Sequence, residues 1–391
     1  MIRRKWQLVS RFTTFVLVVL AISVVLRAAD VPRGIMVIGW DGAERNNVKR
    51  LLAADELPNL AALAKDGALV DIDIVTGLTE TAPGFAQILT GYVPDNIGVH
   101  SDKIYRPIPR GYTIFERLKK FFGPENIQTA AIIAKTSYYL GADGPFRIPY
   151  DTWREMQVEQ KIIDDNKPGP DDLHGGVIVK ENGAKFVQMQ GGPYLNAKDQ
   201  IDLFVNGLIV NEKVGTAAMD QLEKCKDKHF FIFVQFIQPD KAGHKYGENS
   251  REYSDGIKSD DLWTGKIIDK LKELKIYDKT LIYVTADHGF DIGKTSHYYA
   301  PYIFLATNDK KVNRDGTRED IAPTVLKRFG MDLSKIEPRL DGIPLDEPAP
   351  RRKAPADNPK PDKSAIEESR PEPAGRLFSP EAATVCRCFA A

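Results

Sequence analysis

Cysteine is nearly missing from this 391-residue chain: Cys225 stands alone, and Cys386 and Cys388 lie close to the end. So few do not imply a disulfide framework, and two in a tail are too few for a structural zinc site. An excess of charge is also missing. The 54 Lys and Arg balance 54 Asp and Glu, so the basic surplus usual in nucleic-acid binders is absent and no nucleic-acid partner is expected. Long hydrophobic runs are scarce as well. The clearest, from about Phe15 to Leu26, is shorter than the roughly 20 residues a spanning helix needs. Arg3, Arg4 and Lys5 precede it and Ala28 and Ala29 follow, the pattern of a secretory signal peptide over residues 1–29. The alternative is an uncleaved N-terminal anchor that tethers the protein to a membrane. Either reading puts the mature chain outside the cytoplasm, in a periplasmic or extracellular compartment.

What is present is an ordinary globular core, with 42% hydrophobic residues. Folded sequence is expected over 33–345. Beyond it, from 346 to 391, Pro, Lys, Glu, Asp and Ala repeat without enough apolar surface to offset the entropy of ordering, which predicts a disordered tail. Strand-like and helix-like segments alternate. Helices are predicted over 58–67 (closed by Gly67 as a left-handed cap), 81–91, 112–122, 214–225, 253–274 and 320–329, and a short strand over 129–134. This alternation predicts an α/β fold with a doubly wound, mostly parallel sheet and helices on both faces. The polar, irregular stretch 143–200 breaks the rhythm. It carries a hairpin signal at Asn182-Gly183 and reads as a small cap insertion over the ligand edge, with plain decoration as the alternative.

Three apolar runs lead to an acid: IMVIGWDG to Asp41, FFIFVQFIQPD to Asp240 and LIYVTADHG to Asp287. Runs of this kind suit strands covered on both faces of a parallel sheet, whose carboxyl ends share one edge. The three acids are therefore expected to meet, and converging carboxylates need a positive partner. Histidine supplies the hint of a metal. Only six occur, and three fall in this set: His244 four residues after Asp240, His288 beside Asp287, and His297 shortly after. Asp240 and His244 are expected to turn inward from one loop; a surface Asp with a loop His stays open. His100, His174 and His229 look unconnected, with His100 a weaker candidate near Thr81. Six ligands exceed one tetrahedral zinc and nearly suffice for two. Two ions about 3.5–4 Å apart suit in-line displacement at phosphorus. The candidate nucleophile is Thr81, at a turn into a helix where backbone N–H groups and the helix dipole favour an anion. Metal coordination would make its hydroxyl reactive. A helix N-cap is the plain alternative for Thr81, and Thr79 is a competitor.

Taken in order, the motifs WDG at Asp41, PNLAALAKDGA, TAPGFAQILTGYVPDNIGV from Thr81, PDKAGHKYG, TADHGF and DIAPTVLKRFGMDL…LDGIPL resemble the alkaline phosphatase superfamily, within it the nucleotide pyrophosphatase/phosphodiesterase and sulfatase-like branch. The resemblance spans most of residues 34–345. It implies an alkaline phosphatase-like fold and two divalent metal ions, zinc or else manganese. One ion would rest on Asp41, Thr81, Asp287 and His288, the other on Asp240, His244 and His297. Sulfatases of the group need Cys or Ser where Thr81 stands, so a sulfatase is not expected. Lys135 falls where relatives place a lysine against the transferred group, with a surface lysine as the alternative. By spacing, Asp102 stands where phosphodiesterases have an Asn that binds a phosphoryl oxygen, an unfavourable place for an acid unless it is protonated or metal-bound. His297 follows His288 as closely as in the phosphomutase branch. The expectation is an exported metal-dependent phosphohydrolase acting on a small-molecule phosphoester. A phosphomutase and a non-catalytic surface-binding protein are the alternatives.

Overall fold

The computed structural model describes residues 31–159, 176–189 and 191–349; the N-terminal apolar run, His174, Cys386, Cys388 and the Pro-rich tail lie outside them. In chain order the strands are β1 (Gly34–Trp40), β2 (Ala68–Asp73), β3 (Ile127–Ile133), β4 (Phe146–Pro149), β5 (Val177–Glu181), β6 (Ala184–Met189), β7 (Leu203–Val205), β8 (His229–Phe236), β9 (Thr280–Thr285), β10 (Tyr302–Thr307) and β11 (Gly316–Thr317). The main sheet has the order β11-β2-β10-β9-β1-β8-β3-β7. Every pairing in it is parallel except those of β10, which runs antiparallel to β9 and to β2. This is the mostly parallel α/β sheet expected.

β1 lies at the centre because all seven of its residues are apolar or glycine and all are buried. Neighbouring residues on a strand face opposite ways, and the end of β1 uses both sides. A Cβ on Gly39 would lie 2.3 Å from the Phe85 ring, so the helix Thr81–Thr90 packs directly on that face. On the other face the Trp40 indole donates to Thr264 Oγ1 at 3.1 Å, fixing the long helix Arg251–Glu273. Helices thus cover both faces.

Several local readings shift. The helix expected to start at Tyr112 is Ile114–Phe122, because a Thr113–Glu116 capping box sets its first turn. The helix Pro58–Asp66 ends at Gly67 with φ of −146°, so no left-handed cap forms. Glycine is needed there because a Cβ would lie 2.4 Å from Thr307 O. Asp240 and His244 are on no loop: both lie in the helix Gln238–Tyr246, which starts soon after β8, and their i,i+4 spacing puts them on one face.

The described parts of the stretch 143–200 are more regular than expected. β5 and β6 form the hairpin, with positive φ at Asn182 and Gly183, and β4 joins them in a second sheet ordered β4-β6-β5. Trp153 and Val187 form its small core. Its stem is pinned by Gly192 N to Asp143 O (2.8 Å) and Tyr194 N to Gly141 O (2.9 Å). No helix among the described residues is long and apolar enough to cross a membrane.

Candidate metal centre and active site

β8, β1 and β9 run side by side and parallel, which brings their carboxyl ends to one edge. Backbone pairing continues past that edge: Asp41 N donates to Phe236 O at 3.1 Å and Asp240 N to Asp41 O at 3.0 Å. Gly42 then turns with φ of 71°, and its N–H reaches Asp287 Oδ1 at 3.1 Å. A Cβ at Gly42 would lie 3.0 Å from Asp240 Cα, so a larger residue would strain the turn and push the second acid away. Asp41, Asp240 and Asp287 are all buried.

Each carboxylate is anchored through one oxygen. Asp41 Oδ2 accepts from Gln235 Nε2 at 2.6 Å, Asp287 Oδ1 from Gly42 N, and Asp240 Oδ2 pairs with Lys135 Nζ at 2.9 Å. The other oxygens are bare. Asp41 Oδ1, Asp287 Oδ2 and His288 Nε2 are buried without a hydrogen bond among the described residues, and Asp240 Oδ1 faces His244 Nε2 at 3.2 Å and His288 Nε2 at 4.0 Å.

The three imidazoles follow one rule. Nδ1 of His244 meets Thr295 O at 2.9 Å, that of His288 meets Gly289 O at 2.9 Å, and that of His297 meets Thr79 O at 2.6 Å. A carbonyl only accepts, so Nδ1 carries a proton in each ring, and Nε2 keeps a lone pair wherever the ring is neutral. Burial opposes charge on His244, but the Asp240 carboxylate at its Nε2 outweighs it and raises that imidazole above the ordinary value. The Nε2 atoms point inward. That of His288 is 3.5 Å from Asp287 Oδ2 and 3.6 Å from Asp41 Oδ1, and those of His244 and His297 are 3.2 Å apart. Asp291 steadies the loop that carries His297, accepting from Ser296 Oγ at 2.8 Å, Tyr298 N at 3.1 Å and Tyr299 N at 2.8 Å.

The charges need a cation. Burial and the neighbouring Asp287 charge hold the Asp41 carboxyl well above the ordinary range, and burial pushes Asp287 up to about 7. Burial acts on Asp240 the same way, but Lys135 and His244 outweigh it and leave that carboxyl well below the usual range. Burial pushes His288 and His297 down to about 3, so both are neutral, as metal ligands must be. Two sets of ligand atoms each gather within 4.8 Å: Asp240, His244 and His297, and Asp41, Asp240 and His288. Bare carboxylate oxygens facing lone-pair nitrogens are the donors a divalent transition metal takes, so the residues fit such ions. The split implied by the resemblance kept Asp240 with His244 and His297 alone; here Asp240 lies between the two sets.

Thr81 is the first residue of its helix and buried, with Glu80 as N-cap, so its hydroxyl does no capping. Thr81 Oγ1 instead accepts from Lys135 Nζ at 2.8 Å. Lys135 is not a surface lysine: it is buried, 3.6 Å from Asp41 Oδ2 and 4.7 Å from the centre of the Tyr139 ring. The competing Thr79 donates its hydroxyl to His297 O. Gly84 lets the helix close on the site, since a Cβ there would lie 2.7 Å from Asp287 Cβ. Asp102 Oδ1 accepts from Ala82 N at 2.7 Å, and burial raises its carboxyl to about 7. His100 pairs with Asp95 at 3.6 Å, while His229 stacks on Phe122 at the start of β8, the far end of the sheet.

Two residues escaped the sequence reading. Gln235 Oε1 accepts from Lys135 N at 3.0 Å while Nε2 holds Asp41, so one amide links both. A lone amide inside an apolar strand was the available signal. Arg318 is fully buried and donates to Thr76 O (2.8 Å), Leu78 O (3.1 Å) and Asp287 O (2.9 Å), tying the loop before Thr81 to the third acid. Nothing local in the sequence marks it.

The family model described as type I phosphodiesterase / nucleotide pyrophosphatase matches residues 35–343. Among curated proteins, ectonucleotide pyrophosphatase/phosphodiesterase family member 1 of Homo sapiens is 24% identical over 62% of this chain and 22% of its own length. Bis(5'-adenosyl)-triphosphatase ENPP4 of Homo sapiens is 21% identical over 67% of this chain and 48% of its own. A 2,3-bisphosphoglycerate-independent phosphoglycerate mutase of Clostridium kluyveri is 27% identical over 32% of this chain and 25% of its own. The chain spans less than half the length of each of these relatives. A solved structure of a protein in the alkaline phosphatase superfamily from Vibrio parahaemolyticus aligns with a TM-score of 0.51 at 16% identity, covering 82% of this chain and 71% of that one, a likeness of fold.

Proposed function

The chain belongs to the type I phosphodiesterase / nucleotide pyrophosphatase family, and from that premise we propose that it hydrolyses a small-molecule phosphoester with Thr81 as nucleophile and two divalent metal ions as cofactors. Asp240, His244 and His297 would hold one ion, and Asp41, Asp287 and His288, with Thr81, the other. Bound there, the ions would supply Lewis-acid stabilisation of charge on the attacking and departing oxygens.

The side chains do the rest. Thr81 Oγ gives up its proton to solvent and attacks phosphorus in line, the ester oxygen leaves with its electron pair and takes a proton from solvent, and a phosphothreonine forms. Lys135, already 2.8 Å from that oxygen, favours its deprotonated form and then faces the oxygens of the transferred group. Water displaces the phosphoryl group from Thr81 and restores the hydroxyl. The buried helix start holds Thr81 in one orientation, and the burial of the acids limits competing solvent.

The observation that carries this reading is Thr81 Oγ1 lying against the buried Lys135 ammonium, beside three carboxylates that each offer a bare oxygen. Hydrolysis of nitrophenyl phosphate mono- and diesters by metal-loaded protein tests it. Thr81→Ala should lower kcat by at least about 1,000-fold while metal content is kept. A variant as active as the parent overturns the nucleophile assignment. Zinc- or manganese-loaded protein inactive on every ester would favour the non-catalytic surface-binding alternative. The similarity to a phosphoglycerate mutase favours a second reading, phosphoryl return to an acceptor alcohol, which would appear as transfer product in place of free phosphate. Export is part of the proposal and rests on the sequence between Arg3 and Ala29.

A further inference from the structure

Lys135 is fixed at its backbone, yet its ammonium has neighbours of two different kinds. Its N–H donates to Gln235 Oε1 at 3.0 Å and its carbonyl accepts from Gly207 N at 2.8 Å. Among the described residues, the polar and aromatic partners of its Nζ are four. They are Thr81 Oγ1 at 2.8 Å, Asp240 Oδ2 at 2.9 Å, Asp41 Oδ2 at 3.6 Å and the Tyr139 ring, whose centre lies 4.7 Å away. The first three belong to residues that the proposed reading gives to metal ions. Tyr139 does not. It stands in the short helix Ser137–Leu140 and packs against the main core. An aromatic face attracts an ammonium within about 6 Å through its quadrupole, and it is not among the donors a transition metal takes here.

Metal loading shifts the balance at Lys135. Carboxylates that share their charge with divalent cations attract an ammonium less, and the cations repel it across a medium that screens poorly. Tyr139 is the partner whose attraction survives. We infer that Tyr139 is a positioning residue, whose ring keeps the Lys135 ammonium against Thr81 Oγ once metals occupy the carboxylates. The inference rests on the proposed hydrolase reading and adds to it the group that holds the lysine in the loaded site.

The test compares the parent, Tyr139→Phe, Tyr139→Leu, Lys135→Met and the double variant Lys135→Met/Tyr139→Leu. The readouts are kcat and KM of zinc-loaded protein on nitrophenyl phosphate mono- and diesters, and NMR of protein labelled with 13C at lysine Cε, with and without zinc. Tyr139→Leu should lower kcat by about tenfold and change KM less, the size of a desolvated cation–π contact. Tyr139→Phe, which keeps the ring, should recover most of that loss. With Lys135→Met already present, Tyr139→Leu should cost little more, since no ammonium is left to hold. In the spectra the Lys135 Cε protons, identified by their loss in Lys135→Met, should be shifted upfield by the ring. That shift should persist on zinc loading and in Tyr139→Phe, and vanish in Tyr139→Leu. An unchanged kcat in Tyr139→Leu overturns the inference, as does an equal loss in the Lys135→Met background or a ring shift that disappears when zinc is added. If the parent hydrolyses neither ester, the hydrolase reading fails, and the zinc-loaded spectrum alone decides the role of Tyr139: a retained shift supports it, a lost one refutes it. Should Tyr139→Leu not fold, Tyr139→Met serves in the same comparison.

Discussion

Gln235 joins Lys135 to Asp41 through a single fully buried amide, whose oxygen also accepts from Ala134 N at 2.9 Å. By engaging Asp41 Oδ2 it decides which oxygen of that carboxylate remains bare. Outer contacts of this kind orient metal ligands, and losing one commonly costs 10–100-fold in metal affinity. Gln235→Leu fills the same space but leaves Lys135 N without its amide partner and Asp41 Oδ2 with the Lys135 ammonium at 3.6 Å in place of a hydrogen bond. It should weaken metal binding by roughly 10–100-fold in chelator competition and lower the urea unfolding free energy by about 1–3 kcal/mol. At this scale the sequence was informative about residue types. Asp41, Asp240, Asp287 and the three histidines stood out as polar residues following apolar runs. Gln235 did not, because one amide in a buried strand looks the same whether it pairs with a neighbouring backbone or with a ligand.

The helix Thr81–Thr90 is positioned by what it lacks. Alanine in place of a mid-helix glycine ordinarily stabilises by up to about 1 kcal/mol. At Gly84 the sign should reverse, because the new methyl would sit 2.7 Å from Asp287 Cβ and 2.9 Å from Asp287 O. Relieving that clash moves the helix from β9 or tilts it. Gly84→Ala should therefore destabilise by about 1–3 kcal/mol and lower kcat more than it raises KM, as denaturant titration and steady-state kinetics on one preparation would show. Element boundaries were readable where short-range chemistry sets them, as at the Asn182-Gly183 turn. They were misread where a side chain intervenes, as at the Thr113–Glu116 box, or where packing alone requires the glycine, as at Gly67. The apolar run into Asp240 hid the start of a helix, because periodicity cannot separate the last strand residues from a first helical turn that begins at Gln238.

For the whole molecule, stability and metal loading are coupled through the buried acids. Asp41 and Asp287 keep their protons to higher pH in the metal-free fold than in the unfolded chain, Asp287 up to about 7. Their effect is to make metal-free stability fall as pH rises from about 4 through about 7. His288 and His297 act the other way. With folded values near 3, they lower stability as pH falls from about 6.5 towards 3, where the unfolded chain takes up protons the fold refuses. Above about 6.5 the two acids lower the stability of the metal-free fold, and His244, raised by its Asp240 partner, loses its stabilising proton in the same direction; a bound cation removes the penalty of the acids. Chelator should therefore lower the Tm more at about pH 8 than at about pH 6, measured by scanning calorimetry. The sequence by itself determined the α/β alternation, the residues with ligand chemistry and the candidacy of Thr81, since periodicity, turn chemistry and residue type are local properties. Only the tertiary structure decided which carboxylate oxygen is anchored, that Asp240 stands between two ligand sets, and that Asp102 holds the amide beside the nucleophile. Those are contacts between segments far apart in the chain, and their geometry is set by how strands and helices pack.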